Sequence, residues 1–208
     1  MLLALAFPAL AEARQAAKPD QPGVFDYYVL TLSWSPQYCA TKKLPADDPQ
    51  CGAGKHFSFV VHGLWPQYAS GYPQSCSTES LAQGLADSYL DIMPSRQLIQ
   101  HEWEKHGTCS GLDSQHYFED IRNVFNSITV PQQYHHPAKP LTRTLKQFKQ
   151  DLLNANPGLD ASAFSVACTG KYLNEVEVCF DKALKPRACE HDVHDACPAS
   201  RITIRAVR

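Results

Sequence analysis

The chain has no excess of positive charge, no Pro-, Gly- or Ser-rich linker, no internal repeat and, past its first residues, no apolar run long enough to span a bilayer. The formal net charge is −2 at pH 7, which weighs against a protein that holds long stretches of nucleic acid, because affinity there comes largely from neutralised phosphates. Without a linker or repeat, 208 residues of which 44% are hydrophobic predict one domain around one core. Without a spanning run, the mature chain is expected to be soluble and to have no membrane partner. No Lys or Arg precedes the apolar opening MLLALAFPALAEA. Its small residues Ala9, Ala11 and Ala13 still fit a cleavage site, so residues 1–21 are read as an export signal or a disordered leader ahead of a single domain over residues 22–208.

Cysteine, by contrast, is plentiful. Eight cysteines, an even number spread along the domain, favour an oxidising compartment, periplasmic or secreted, and four disulfides. Sequence alone allows roughly a hundred pairings.

Residues 25–34 (FDYYVLTLSW) are aromatic, β-branched and apolar on both faces, the pattern of a buried strand. A turn-rich loop holding Cys39 and Cys51 follows. Residues 57–61 (FSFVV) form a second apolar run that ends at His62, which places that histidine at a strand tip. Leu81, Leu85, Tyr89 and Ile92 recur at helical spacing. A second helix is expected over residues 96–107, stopped by Gly107. Tyr117, Phe118, Ile121, Val124, Phe125 and Ile128 mark a third, and Leu145, Phe148, Leu152 and Leu153 a fourth, ended by Asn156-Pro157-Gly158. Residues 163–168, 172–180 and 202–207 read as strands. Strands at both ends with helices between predict an α+β fold on a central, mainly antiparallel sheet stapled by disulfides.

The segment His101-Glu102-Trp103-Glu104-Lys105-His106 concentrates ionisable groups. At about 100° per residue, His101, Lys105, Glu102 and His106 project at about 0°, 40°, 100° and 140°, one contiguous face. A solvated helix usually spreads its charges around the cylinder, so convergence points to chemistry. A zinc site of the H-E-x-x-H kind needs its histidines four apart; these are five apart with a lysine between them that would repel a cation. Lysine suits an anion. Two histidines, a carboxylate and a lysine supply a base, an acid and positive charge for phosphoryl transfer. The second cluster, His62-Gly63-Leu64-Trp65-Pro66, adds a histidine, a glycine that permits a tight turn, and an aromatic-rich stretch with Tyr68 and Tyr72 able to stack bases.

Together, HGLWP at residues 62–66 and HEWEKHGTC at residues 101–109 closely resemble the two active-site segments of the ribonuclease T2 family, and FDYYVLTLSWSPQYC resembles the family's opening strand. The resemblance implies a metal-independent, cofactor-free endoribonuclease of low base specificity. It would cleave single-stranded RNA, and not DNA, through a 2′,3′-cyclic phosphate to 3′-phosphate ends. A hydrolase gripping one or two nucleotides needs no basic face. The resemblance also implies roles: His106 as general base, His62 as general acid, His101 binding the phosphate, and Glu102 and Lys105 against the phosphoryl oxygens. Trp65 and Tyr72 match positions that stack a base, and Gln67 one that reads it, which leaves the preferred base open. The implied disulfides are Cys39–Cys51, Cys76–Cys109, Cys168–Cys197 and Cys179–Cys189.

The stretch from Cys189 to Cys197, with His191 and His194, imitates a zinc site, but its cysteines are better used as disulfides. His135 and His136, between Pro131 and Pro137, are expected on an exposed loop. A catalytically idle binding protein on the same scaffold is the rival function; every catalytic position is filled, so nothing in the residues favours it. A monomer is the simplest expectation.

Overall fold

The computed structural model describes residues 20–207, so the leader expected over residues 1–21 lies almost entirely outside the described residues. Strand β1 (Tyr27–Trp34) is buried along nearly its whole length because it lies between two neighbours. On one side it pairs antiparallel with β2 (Phe59–Gln67), on the other with β5 (Tyr172–Phe180). Strand β4 (Phe164–Thr169) forms an antiparallel pair with β5. A short ribbon of β3 (Leu141–Thr144) and β6 (Arg201–Ile204) joins β5 by one parallel bridge, Tyr172 to Thr203. The sheet is therefore mainly antiparallel, as expected from strands at both ends of the chain with helices between.

The period-two alternation of a strand divides β1 cleanly. Tyr28, Leu30, Leu32 and Trp34 enter the main core with Val61, Leu64, Val176 and Val178. Tyr27 and Val29 turn the other way, against Cys179, Cys189 and Val193, and Thr31 and Ser33 continue that second side. The main core is closed by α2 (Arg96–Lys105), α3 (Ser114–Ser127) and α4 (Leu145–Ala155), which contribute Ile99, Trp103, Tyr117, Phe118, Ile121, Val124, Phe148 and Leu152. Each such side chain contributes about 1.5–3 kcal/mol on burial. Ser95 caps α2 by accepting from Leu98 N, and Asp113 caps α3 by accepting from His116 N. Thr144 and Gln147 form a reciprocal capping box on α4. Each cap contributes on the order of 1 kcal/mol.

The structure departs from the sequence expectations in five places. The helix expected around Leu81 to Ile92 contracts to a 3₁₀ segment, Leu85–Tyr89, because Gly84 adopts a left-handed φ of 77° immediately before it. Helix α2 stops at Lys105, with His106 as its C-cap, its N–H still donating to Glu102 O. Gly107 is not a left-handed stop but a close-packing residue: a Cβ there would lie 2.4 Å from Trp103 and 2.9 Å from Tyr117. A short helix, α1 (Ser35–Thr41), starts on Pro36 where a loop was expected, and β3 had no expected counterpart. His62, expected at a strand tip, lies inside β2. The four disulfides pair Cys39 with Cys51, Cys76 with Cys109, Cys168 with Cys197 and Cys179 with Cys189.

Candidate active site

The β1–β2 register runs Thr31 to Gly63 and then Leu32 to Val61, so His62 is the extra residue of a β-bulge. A bulge re-aims a side chain out of the strand's regular alternation. The imidazole is 36% exposed, with Nδ1 2.9 Å from Glu175 Oε1 and Nε2 3.8 Å from Glu102 Oε1. The same Glu175 oxygen accepts the Ser33 hydroxyl at 2.8 Å.

Helix α2 delivers the other groups at its C-terminal end. Its depth is set by Trp103, fully buried, whose indole N–H donates to Glu79 O at 2.7 Å. Glu102 is buried and accepts the Trp65 Nε1–H at 2.7 Å. That approach depends on Gly63, where a Cβ would lie 2.2 Å from Glu102 Oε2 and 2.4 Å from Trp65 Nε1. His106 is buried, and its Nδ1 has no hydrogen-bond partner among the described residues. The Trp65 ring is 5.2 Å from His62 and 5.3 Å from His106, so one indole is flanked by both imidazoles. Tyr72, 46% exposed, stands 5.8 Å from His106, and Lys105 Nζ lies 5.6 Å from the Tyr72 ring. The loop bearing Tyr72 is tied to α2 through Ser75 N–H to Lys105 O, Cys76 N–H to Thr108 Oγ1 and the Cys76–Cys109 disulfide.

Charge divides the two histidines. Burial pulls His62 down, but the hydrogen bond to Glu175 and the carboxylates of Glu102 and Glu175 outweigh it and Lys105, and its pKa rises above 6.5. His106 falls to about 3, through burial first and then the charges of Lys105, His101 and His62. Glu102 is raised by burial, against the opposing pull of His62, Trp65, His101 and Lys105. The two imidazoles therefore meet opposite environments, one favouring the charged form and the other the neutral form.

The ribonuclease T2 family model matches residues 25–189. The chain belongs to the ribonuclease T2 family. Among its relatives, a ribonuclease of Aeromonas hydrophila is 50% identical over 121 residues, covering 58% of this chain and 52% of that protein. A probable ribonuclease of Haemophilus influenzae is 36% identical over 179 residues, covering 79% of this chain and 61% of that protein. The chain thus spans between about half and three-fifths of the length of those two relatives. Among solved structures, trichomaglin, described as an S-like ribonuclease, superposes with a TM-score of 0.71 at 20% identity over 88% of this chain and 99% of its own. RNase NT in complex with 5′-AMP does so with a TM-score of 0.65 at 25% identity, over 88% and 98%.

Of the residues expected from this T2 chain's sequence, the structure brings together His62, Trp65, Tyr72, Glu102, Lys105 and His106. His101 sits on the exposed side of α2, near enough for its charge to act on Glu102 and His106. Gln67 is 7% exposed at the end of β2, opposite Tyr27, and offers a base the least surface of the three expected contacts. Glu175 and Ser33 were not anticipated. A signal existed in residues 172–180 (YLNEVEVCF), where Glu175 and Glu177 alternate with buried valines, but naming their partners requires the strand order. Among the described residues, no group of three or more His, Cys, Asp or Glu is placed to hold a metal ion, and His191 and His194 are exposed, as are His135 and His136. A separate cleft of about 520 Å³, lined by Pro36, Lys42, Lys55, Phe57 and Arg205 among others, contains none of the site residues.

Proposed function

We propose that this protein is a metal-independent endoribonuclease that cleaves single-stranded RNA by internal transesterification. One observation carries the reading: two imidazoles flank a single indole, one held by carboxylates and the other buried among cations. Neutral His106 removes the proton of the ribose 2′-hydroxyl, and the 2′-oxygen attacks the adjacent phosphorus. As the bond from phosphorus to the 5′-oxygen breaks, His62 protonates that leaving oxygen. Because Glu175 engages Nδ1, the proton transferred is the one on Nε2, the nitrogen that faces Glu102. The product is a 2′,3′-cyclic phosphate. Water then opens it to a 3′-phosphate with the two histidines exchanging roles. Lys105 and His101 supply positive charge to the phosphoryl oxygens, and Glu102 holds the Trp65 indole between the histidines.

Tyr72 and Trp65 offer aromatic surface to an unpaired base. DNA lacks the nucleophile and is not a substrate. Four disulfides support a periplasmic or secreted location, and the protein acts as a monomer. The direct test is a DNA oligonucleotide carrying one ribonucleotide. Cleavage should occur only on the 3′ side of that residue, whereas cuts elsewhere, or none, would contradict the proposal.

A further inference from the structure

Glu175 takes no part in the bond changes described above, yet it is the group most closely attached to His62. The contact crosses the sheet. His62 is on β2, Glu175 on β5, and β1 runs between them. Two local features let the side chains meet. The bulge turns the His62 ring out of the regular alternation, and the β1 residue opposite Glu175 is Ser33, small enough to be bridged and able to donate. The carboxylate oxygen Oε1 then receives two bonds, 2.8 Å from Ser33 Oγ and 2.9 Å from His62 Nδ1. Glu177, two residues along the same strand face, is engaged differently, accepting the Ser165 hydroxyl at 2.6 Å.

We infer that Glu175, itself held by Ser33, is a positioning residue for His62. By accepting the Nδ1–H it fixes the ring orientation and favours the doubly protonated imidazolium, whose second proton, on Nε2, is the one the leaving oxygen takes. The inference rests on the reading of His62 as the general acid. A carboxylate bound to one ring nitrogen orients the other and favours the charged imidazole. The charged groups acting on His62 are Glu175 on β5 and Glu102 and Lys105 on α2, with the titratable ring of His106 beyond them. Removing Glu175 leaves Glu102 as the nearer counter-charge, opposed by Lys105. The imidazole then releases its proton at lower pH and is free to turn.

A general acid matters only where the leaving group needs a proton. The experiment compares two substrates for the parent, Glu175→Gln, Glu175→Ala and His62→Ala proteins. One is a dinucleotide, whose leaving alkoxide must be protonated. The other is a ribonucleoside 3′-(p-nitrophenyl phosphate), whose phenolate departs without help. On the dinucleotide, kcat is expected to fall on the order of tenfold for Glu175→Gln and a hundredfold for Glu175→Ala, with KM within about threefold, and the descending limb of the pH profile should move to lower pH. On the aryl ester, both variants should stay within about threefold of the parent. Equal losses on the two substrates, or no loss on either, would overturn the inference. Glu175→Gln keeps a hydrogen-bonding group of the same shape and guards against a variant that merely fails to fold. His62→Ala separates the two levels of the argument. If it lacks the substrate split, the assignment of His62 as acid fails; if it shows the split and the Glu175 variants do not, only the positioning role fails.

Discussion

Trp65 donates its indole N–H to the buried carboxylate of Glu102 at 2.7 Å, which locks strand β2 onto the C-terminal end of helix α2. The contact runs through space that a side chain at position 63 would occupy, since a Cβ there would sit 2.2 Å from the carboxylate oxygen and 2.4 Å from the indole nitrogen. Glycine at 63 is therefore required by packing, with no need for a special backbone angle.

Gly63→Ala is accordingly expected to be a severe substitution for its size. Overpacking should cost about 1–3 kcal/mol of stability, and displacement of Trp65 and Glu102 should lower kcat/KM on the order of a hundredfold while the protein remains folded. Denaturant titration and steady-state kinetics on the same preparation measure the two effects. Parental activity in a folded variant would show that the Trp65–Glu102 contact is dispensable.

The opposite environments of the histidines set the pH dependence. His106, lowered to about 3, must be neutral to accept a proton, so kcat/KM of the free enzyme should rise with pH well below 6.5. His62, raised above 6.5, must be charged to donate, so activity should fall only above that value. The profile is then a bell with its plateau on the acid-to-neutral side, broader than two unperturbed histidines would give. Rates on a dinucleotide from pH 3 to 9 check this. A descending limb centred below 6.5, or a profile flat to pH 9, would contradict the assignment.

The Cys76–Cys109 disulfide closes a sequence separation of 33 residues, worth about 4 kcal/mol on chain-entropy grounds. It also holds the Tyr72 loop against the end of α2. Replacing both cysteines with serine should leave a protein that is folded at 25 °C but has lost about tenfold in kcat/KM, because the aromatic wall drifts from His106. Full activity in the folded variant, with only the melting temperature lowered, would reduce the disulfide to a stabilising role.

Much of this arrangement is legible in the residues because the strongest signals are local. The buried strand at β1, the amphipathic faces of α3 and α4, and the crowding of His101, Glu102, Lys105 and His106 each lie within one segment. What escapes are features defined by two segments at once. Nothing local in FSFVVHG announces that His62 is a bulge, since the extra residue exists only relative to β1. Glu175 has no role until β5 is placed beside β1, which brings its carboxylate against both Ser33 and His62. Gly107 was expected to end a helix through its backbone freedom, whereas its role is contact with Trp103 and Tyr117. The opposite shifts of the two histidines arise from tertiary burial and from which charges each one meets.

Cleavage of RNA by His62 and His106 through a cyclic phosphate, without a metal, is open to one decisive experiment. The most direct measurement incubates the purified, oxidised protein with single-stranded RNA in EDTA, beside a His106→Ala variant, and analyses the product ends. The expected result is 2′,3′-cyclic and 3′-phosphate ends from the parent and intact RNA from the variant. Products bearing 5′-phosphates, activity abolished by EDTA, or a folded parent that leaves the RNA intact would contradict it.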